Sequence, residues 1–234
     1  MNLHYTETGF LIIRPWDDPR RIVDAMLETG YNEEFCVSTS FDPEFIAGLI
    51  KAGFLVMSTS VIDPENDNFF ILLPKLHLTR SILFFDNVHI KKSIKRLLDR
   101  FELRFDTDFD YIVDRCLAVH GDDWLTSPLV AAIRHIRQNK PHGVYPASFS
   151  LYKNGKLAAG EFGTIVGGVY TSYSGYYDES NAGTVQMILA NRYLQEHDFA
   201  FFDLGMPMDY KTGLGAINVT TKEFVRLFRT AQNI

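Results

Sequence analysis

One acid closes an apolar run: Phe199-Ala-Phe-Phe ends in Asp203, and a Gly-rich turn follows to Ala216. A carboxylate there lies at a desolvated strand end, where its charge acts more strongly than in water and where open α/β sheets hold ligands. The competing reading is a plain strand-end residue beside a turn. A second carboxylate, Glu161, sits in the alternating stretch Leu157–Phe162. It either points to solvent or is buried, and a buried lone carboxylate calls for a cationic partner. Lys91, Lys92, Lys95, Arg96 and Arg100 form a dense basic stripe. Such stripes are usually solvated helix faces, but this one also suits a phosphate backbone.

Other chemistries lack their residues. No Gly-x-Ser-x-Gly elbow is present for a hydrolase, and the seven histidines share no evident site. No compact Arg/Gln-x-x-Gly-x-Gly/Ala loop opens a helix, as a pyrophosphate cradle requires. Cys36 and Cys116 stand far apart, outside any metal-ligand spacing, and read as buried thiols of a reducing compartment.

The elements that must position these groups run from Lys156 to Ala216. KLAAGEFGTIVGGVYTSYSGY reads as half-buried strands, and a helix follows over Thr184–His197. A strand over Phe199–Asp203 comes next. Upstream, Asn154-Gly155 is the strongest hairpin signal, joining strands Ala147–Tyr152 and Leu157–Phe162. Ser40 or Asp42 caps a helix Glu44–Ala52 that stops at Gly53. Asp63–Asn68 reads as a turn. Further helices are expected over His89–Phe101, from Asp108 to His120, from Thr126 or Ser127 to Asn139, and over Thr221–Gln232. Residues 1–75 read as a small N-terminal α+β domain and 76–234 as the main one.

At 46% hydrophobic and 22% charged residues the mix is that of a globular chain. A formal net charge of −6 argues against broad non-specific nucleic-acid binding, which needs a net basic face. No apolar run approaches the ~20 residues of a bilayer span, and no basic-then-apolar leader is visible. A soluble, cytoplasmic protein is the expectation.

Thr79–Arg96 (TRSILFFDNVHIKKSIKR), WLTSPLVAAIRHI from Trp124, and KLAAGEFGTIVGGVYTSYSG…LGA resemble, in order and spacing, the leucyl/phenylalanyl-tRNA–protein transferases. That resemblance implies an α+β, GNAT-like fold with a smaller N-terminal domain. It implies transfer of an amino acid from charged tRNA to a protein's N-terminal amine, the N-end-rule reaction, with no metal or organic cofactor and no membrane. Asp203 matches the family's acid, which orients the attacking amine, with Tyr173 and Ser174 lining the reacting centre. Trp124 matches a tryptophan that stacks near the terminal adenosine; a core tryptophan is the alternative. Glu161 falls in the lining of the pocket for the carried side chain, and a basic or polar amino acid would suit it. Tyr170, Asn181, Met187 and Gly205 are further substrate-side positions. Arg80 with Lys91, Lys92, Lys95 and Arg96 matches the basic surface for the acceptor stem.

The pattern also departs from the family. Tyr173 replaces a glutamate, Gly205 a glutamine, Tyr210 a histidine, and Met208 a polar residue. The alternative is therefore an altered relative, one that binds an aminoacyl or nucleotide ligand or a protein N-terminus without transfer, or that aminoacylates another amine.

Overall fold

Asn154 and Gly155 both adopt left-handed backbone, with φ of 50° and 74°. Two such residues match the right-handed twist of the flanking strands, so they make a tight hairpin turn. That hairpin belongs to a seven-stranded sheet. The computed structural model describes residues 3–62 and 68–233. The expected turn from Asp63 lies, over residues 63–67, outside the described residues.

In chain order the first elements are β1 (His4–Tyr5), β2 (Leu11–Ile12), α1 (Pro19–Thr29), β3 (Cys36–Val37), α2 (Pro43–Ala52), β4 (Leu55–Ile62) and β5 (Asn68–Lys75). Next come β6 (Thr79–Leu83), α3 (Lys92–Lys95), β7 (Glu102–Phe105), α4 (Phe109–His120) and α5 (Ser127–Asn139). The rest are β8 (Tyr145–Lys153), β9 (Lys156–Val166), β10 (Val169–Tyr177), α6 (Ala182–Glu196), β11 (Phe201–Asp203), α7 (Asp209–Leu214), β12 (Ile217–Thr220) and α8 (Thr221–Ala231).

These elements gather into two units: residues 1–78 with 121–144, and residues 79–120 with 145–234. Residues 121–144, placed by the sequence reading in the second domain, thus cluster with the first unit. In that unit β1, β2 and β3 form a small sheet, and β4 and β5 form an antiparallel ribbon. Asp42 caps α2 through the Phe45 amide at 2.9 Å, and Gly53 closes it in left-handed backbone. Thr126 precedes α5 but does not cap it. Its hydroxyl bonds Ser58 Oγ at 2.8 Å instead.

The second unit holds the sheet β12-β6-β11-β10-β9-β8-β7. Every neighbouring pair is antiparallel except β10 with β11. Helix α6 covers one face over a cluster that includes Phe149, Tyr170, Phe202, Val185 and Ile188. On the opposite face Phe109 of α4 meets Phe162, and Phe224 of α8 meets Arg80. This mixed sheet with flanking helices is the expected α+β, GNAT-like arrangement.

Two local expectations fail. The helix expected over His89–Phe101 is broken into α3, only four residues long, and a 3-10 turn at Leu98–Arg100. Lys91, at the N-cap, has no side-chain acceptor for the first amides. Like charges also stand four apart at Lys91/Lys95 and Lys92/Arg96, which weakens a helix. Conversely, the stretch read as a Gly-rich turn contains α7, and β12 follows it directly. Gly215 ends α7 at φ 108° and donates to the carbonyls of Lys211 and Thr212.

A Cβ at Gly215 would lie 1.9 Å from the Asn87 carbonyl oxygen. Backbone cannot retreat as a side-chain tip can, and the φ itself disfavours any L side chain. Gly215→Ala is therefore expected to destabilise the protein by more than about 2 kcal/mol, as read by urea unfolding.

Candidate functional site

Asp203 is the last residue of β11, and its pairing partner in β10 is Thr171. The parallel ladder stops at that pair, while β10 runs on to Tyr177 beside β9. The two strands thus part at Asp203, and the chain beyond them carries the residues singled out by sequence. The carboxylate is fully buried. Oδ1 accepts from Arg80 Nε at 2.8 Å and from the Gly205 amide at 3.0 Å. Oδ2 accepts from Arg80 Nη2 at 2.6 Å and from Thr171 Oγ1 at 2.9 Å. Four donors fill the acceptor capacity of a carboxylate.

Arg80 is correspondingly 1% exposed, with its guanidinium 4.4 Å from the Phe224 ring. The expectation that Arg80 joins a surface basic patch is therefore corrected. β6 is flanked by β11 and β12, so the inward side of Arg80 has nowhere to go but into the sheet packing. There it needs a fork-matched carboxylate, which Asp203 supplies.

Glu161 lies on the other face. It pairs with Phe149 of β8 and Gly175 of β10, and directly paired residues share a face. Phe149 belongs to the α6-side cluster, so Glu161 points beneath α6, where it is 5% exposed. Ser172 Oγ donates to Glu161 Oε2 at 3.4 Å. Gln186 of α6 and Tyr170 of β10 also act on the carboxyl. Neither closes a bond of normal geometry: Glu161 Oε1, Gln186 Nε2 and Tyr170 Oη have no partner among the described residues. Burial pushes the carboxyl up to about 7, against the pull of these neighbours and of the Lys211 charge. Lys211 is 7% exposed and donates to the Leu204 and Met206 carbonyls at 2.5 and 2.8 Å. Burial pulls its ammonium down to about 8.

Asp203, Tyr173 and Glu161 therefore do not share one face, as a single cleft would require. Tyr173 is the extra residue of a bulge in β10, between Ser172 opposite Gly163 and Ser174 opposite Phe162. Its half-buried ring stacks on Phe162 at 6.1 Å, on the α4 side. Ser174 is half-buried on the same side. Gly205 is buried at φ 72°, a conformation that suits glycine, and its carbonyl accepts from the Ser81 amide at 2.7 Å. Tyr210 and Met208 are exposed. Asn181 is exposed, in left-handed backbone just before α6, and its side chain makes no cap. Met187 packs, half-buried, against the α6-side cluster. Trp124 belongs to the first unit. It is half-buried, and its carbonyl accepts from the Ser58 amide at 2.9 Å. Lys91, Lys92, Lys95 and Arg96 are exposed, and none pairs with a carboxylate among the described residues.

Sequence reading missed Thr171, Gln186 and Lys211. Gln186 had a usable signal: a polar residue one place after Val185 and two before Ile188, on the buried side of α6. Lys211 had none, because α7 itself was not foreseen.

A sequence profile described as leucyl/phenylalanyl-tRNA protein transferase matches residues 82–229. Curated relatives of that name include one from Pseudomonas putida (strain W619). It is 29% identical over 151 residues, 62% of this chain and 65% of that protein. Another, from Campylobacter lari (strain RM2100 / D67 / ATCC BAA-1060), is 28% identical over 149 residues, 63% of this chain and 67% of that protein. The chain thus spans about two thirds of these relatives' length. A solved structure of FemX superposes with a TM-score of 0.48 at 9% identity, over 93% of this chain and 81% of that one. Among the described residues no helix is long and apolar enough to cross a membrane.

Removing one charge of the Arg80–Asp203 pair strands the other in the interior, at a cost of about 3–5 kcal/mol. Asp203→Asn is expected to lose that much stability in urea titration. The Glu161 carboxyl is raised in the fold from 4.5 to about 7, so the folded chain keeps a proton that the unfolded chain gives up. The associated stability is whole below 4.5 and lost as pH rises through 7. Glu161→Gln lacks this loss, so its melting temperature relative to the parent protein should climb between pH 5 and pH 8.

Proposed function

Because the chain belongs to the leucyl/phenylalanyl-tRNA–protein transferase family, we propose that it moves an amino acid from a charged tRNA to the N-terminal amine of a protein. The family match over residues 82–229 carries this reading. The bond formed is an amide between the amine nitrogen and the aminoacyl carbon. The bond broken is the ester to the tRNA ribose, whose oxygen leaves with a proton. Such a reaction needs positioning, donors for a tetrahedral oxyanion, and removal of one amine proton.

The residues divide these tasks in a specific way. Asp203 is a positioning residue: saturated by Arg80, Thr171 and Gly205, it fixes where β10 and β11 part. The opened edge of β10 beyond Thr171 offers backbone to a reacting carbonyl, with Ser172, Tyr173 and Ser174 beside it. The exposed cations Lys91, Lys92, Lys95 and Arg96 receive acceptor-stem phosphates. Trp124 offers a half-buried ring on which a base can stack.

Two observations favour a second reading, an altered relative that binds without transferring. Asp203 has no acceptor site left for an amine, and a phenol at Tyr173 stands where an acid is expected.

Incubation with a full set of charged tRNAs and peptides of varied N-terminal residue tests the first reading directly. Transfer with at least one pairing is expected; none, from folded protein, favours the second. In the same assay Lys92→Glu with Lys95→Glu should weaken charged-tRNA binding for every tRNA and flatten its salt dependence. The slope of log affinity against log salt should fall by roughly 2.

A further inference from the structure

Lys211 is a lysine kept in the interior. It is 7% exposed, on α7, and its Nζ donates to the carbonyls of Leu204 and Met206 at 2.5 and 2.8 Å. Those carbonyls belong to the loop that leaves β11 after Asp203, where β10 and β11 part. The start of that loop is tied to β6. The Leu204 amide donates to the Ser81 carbonyl at 2.9 Å, and the Ser81 amide donates to the Gly205 carbonyl at 2.7 Å. Lys211 also holds the chain through its own backbone: its amide donates to the Met208 carbonyl and its carbonyl accepts from the Ala216 amide, both at 3.0 Å. One residue thus bonds the chain at Leu204, Met206, Met208 and Ala216. Side-chain packing offers little in its place, because residues 206–210 are all exposed.

From this geometry we infer that Lys211 is a positioning residue for the transfer reaction, whose ammonium latches the loop Leu204–Met208 beside the point where β10 and β11 part. The inference rests on the transferase reading for what the loop serves, and not for the latch itself. An ammonium on a flexible stem suits the task. It carries up to three donors, so it reaches two carbonyls that no strand partner serves. Its charge shortens and strengthens both bonds. A latched loop keeps the exposed Met206 and Met208 in one place next to the opened strand edge. In an acyl transfer, a displacement of about 1 Å at such a place costs roughly 100-fold in rate.

The latch has a pH signature. Lys211 Nζ is bonded to two carbonyls rather than to a carboxylate. The charged groups acting on it are Asp203 of β11, Arg80 of β6 and Glu161 of β9, and the Tyr210 ring of α7 lies 5.7 Å away. Burial outweighs them and pulls the ammonium from 10.5 down to about 8. A loop opened to water returns it toward 10.5, so the latched form gives up its proton first. Below pH 8 both forms are charged, and the buried charge works against the latch. As pH rises from 8 toward 10.5 the latched form is neutral while the opened form still binds a proton, so the latch tightens. Between pH 7 and pH 9, loop opening should fall about tenfold.

The experiment is amide hydrogen exchange of the full chain at pH 7 and pH 9, corrected for the intrinsic rate at each pH. It reads the Gly205 and Ala216 amides, with the β8–β9 hairpin as internal control. Protection at Gly205 and Ala216 is expected to rise about tenfold at pH 9, with no such rise in the hairpin. Lys211→Arg, which stays charged, and Lys211→Met, which has no ammonium, should each lose the rise; a side chain that served packing alone would not produce it. Protection that stays flat or falls in the parent protein overturns the inference, as does a rise that survives Lys211→Met. The parent protein alone decides this arm, so a variant that fails to fold does not blunt it. In the transfer assay Lys211→Met, shown folded by its melting transition, is expected to lower kcat about 10-fold or more at unchanged charged-tRNA affinity. Lys211→Arg, which keeps the donors, should restore most of that loss. An unchanged kcat in Lys211→Met overturns the positioning role while leaving the transferase reading standing. A pH-dependent latch in a protein that transfers from no charged tRNA supports the latch and overturns the transferase reading, and with it the role in transfer.

Discussion

The Arg80–Asp203 pair is the contact on which the second unit depends. It spans 123 positions of sequence and joins β6 to β11, the two strands between β12 and β10. A planar guanidinium meeting a carboxylate with two parallel bonds permits little freedom of angle. Thr171 and Gly205 fill the remaining acceptor sites, and Phe224 lies against the cation. Three strands, the chain after β11 and helix α8 are thereby referred to one buried charge pair. Desolvation offsets most of the attraction in so enclosed a pair, so its net contribution to stability is small even though breaking it is costly.

That arrangement separates two kinds of buried acid. Asp203 is neutralised and fully bonded, and it acts as structure. Glu161, on the opposite face, is neither. Its carboxyl is bonded by Ser172, with the Gln186 and Tyr170 side chains beside it. The difference follows from the pleat: residues on β9 and β11 that look alike in sequence face opposite sides of one sheet. Chemistry that requires both acids at one atom is not available to this fold. Asp203 instead fixes where the strand edge opens, and Glu161 stays buried on the α6 side.

Much of the sheet was legible in the sequence, because its signals are local. Asn154-Gly155 announced the hairpin, Asp42 and Gly53 bracketed α2, and the apolar run into Asp203 gave β11. The acid at the end of β11 was also readable. What escaped were facts of pairing and of face. Nothing adjacent to Arg80 says that its partner lies at Asp203, so a basic residue near other basic residues read as surface. The apolar positions of His89–Phe101 repeat as in a helix, yet repeated like charges and an uncapped start limit α3 to four residues. Tyr173, Glu161 and Asp203 appeared to converge because spacing alone does not reveal which face of the sheet each side chain takes.

That bulge has a wider meaning. Tyr173 is one surplus residue in β10, and it resets which of its neighbours look toward α6 and which toward α4. Ahead of it Ser172 sides with Glu161; after it Ser174 sides with Phe162. The strand thus behaves like a zip with one doubled tooth, whose upper and lower halves are out of step by design. The strand is therefore constrained in count as well as in composition. Replacing a side chain alters one spot, whereas losing or gaining a single position would exchange the furnishings of both sides at once.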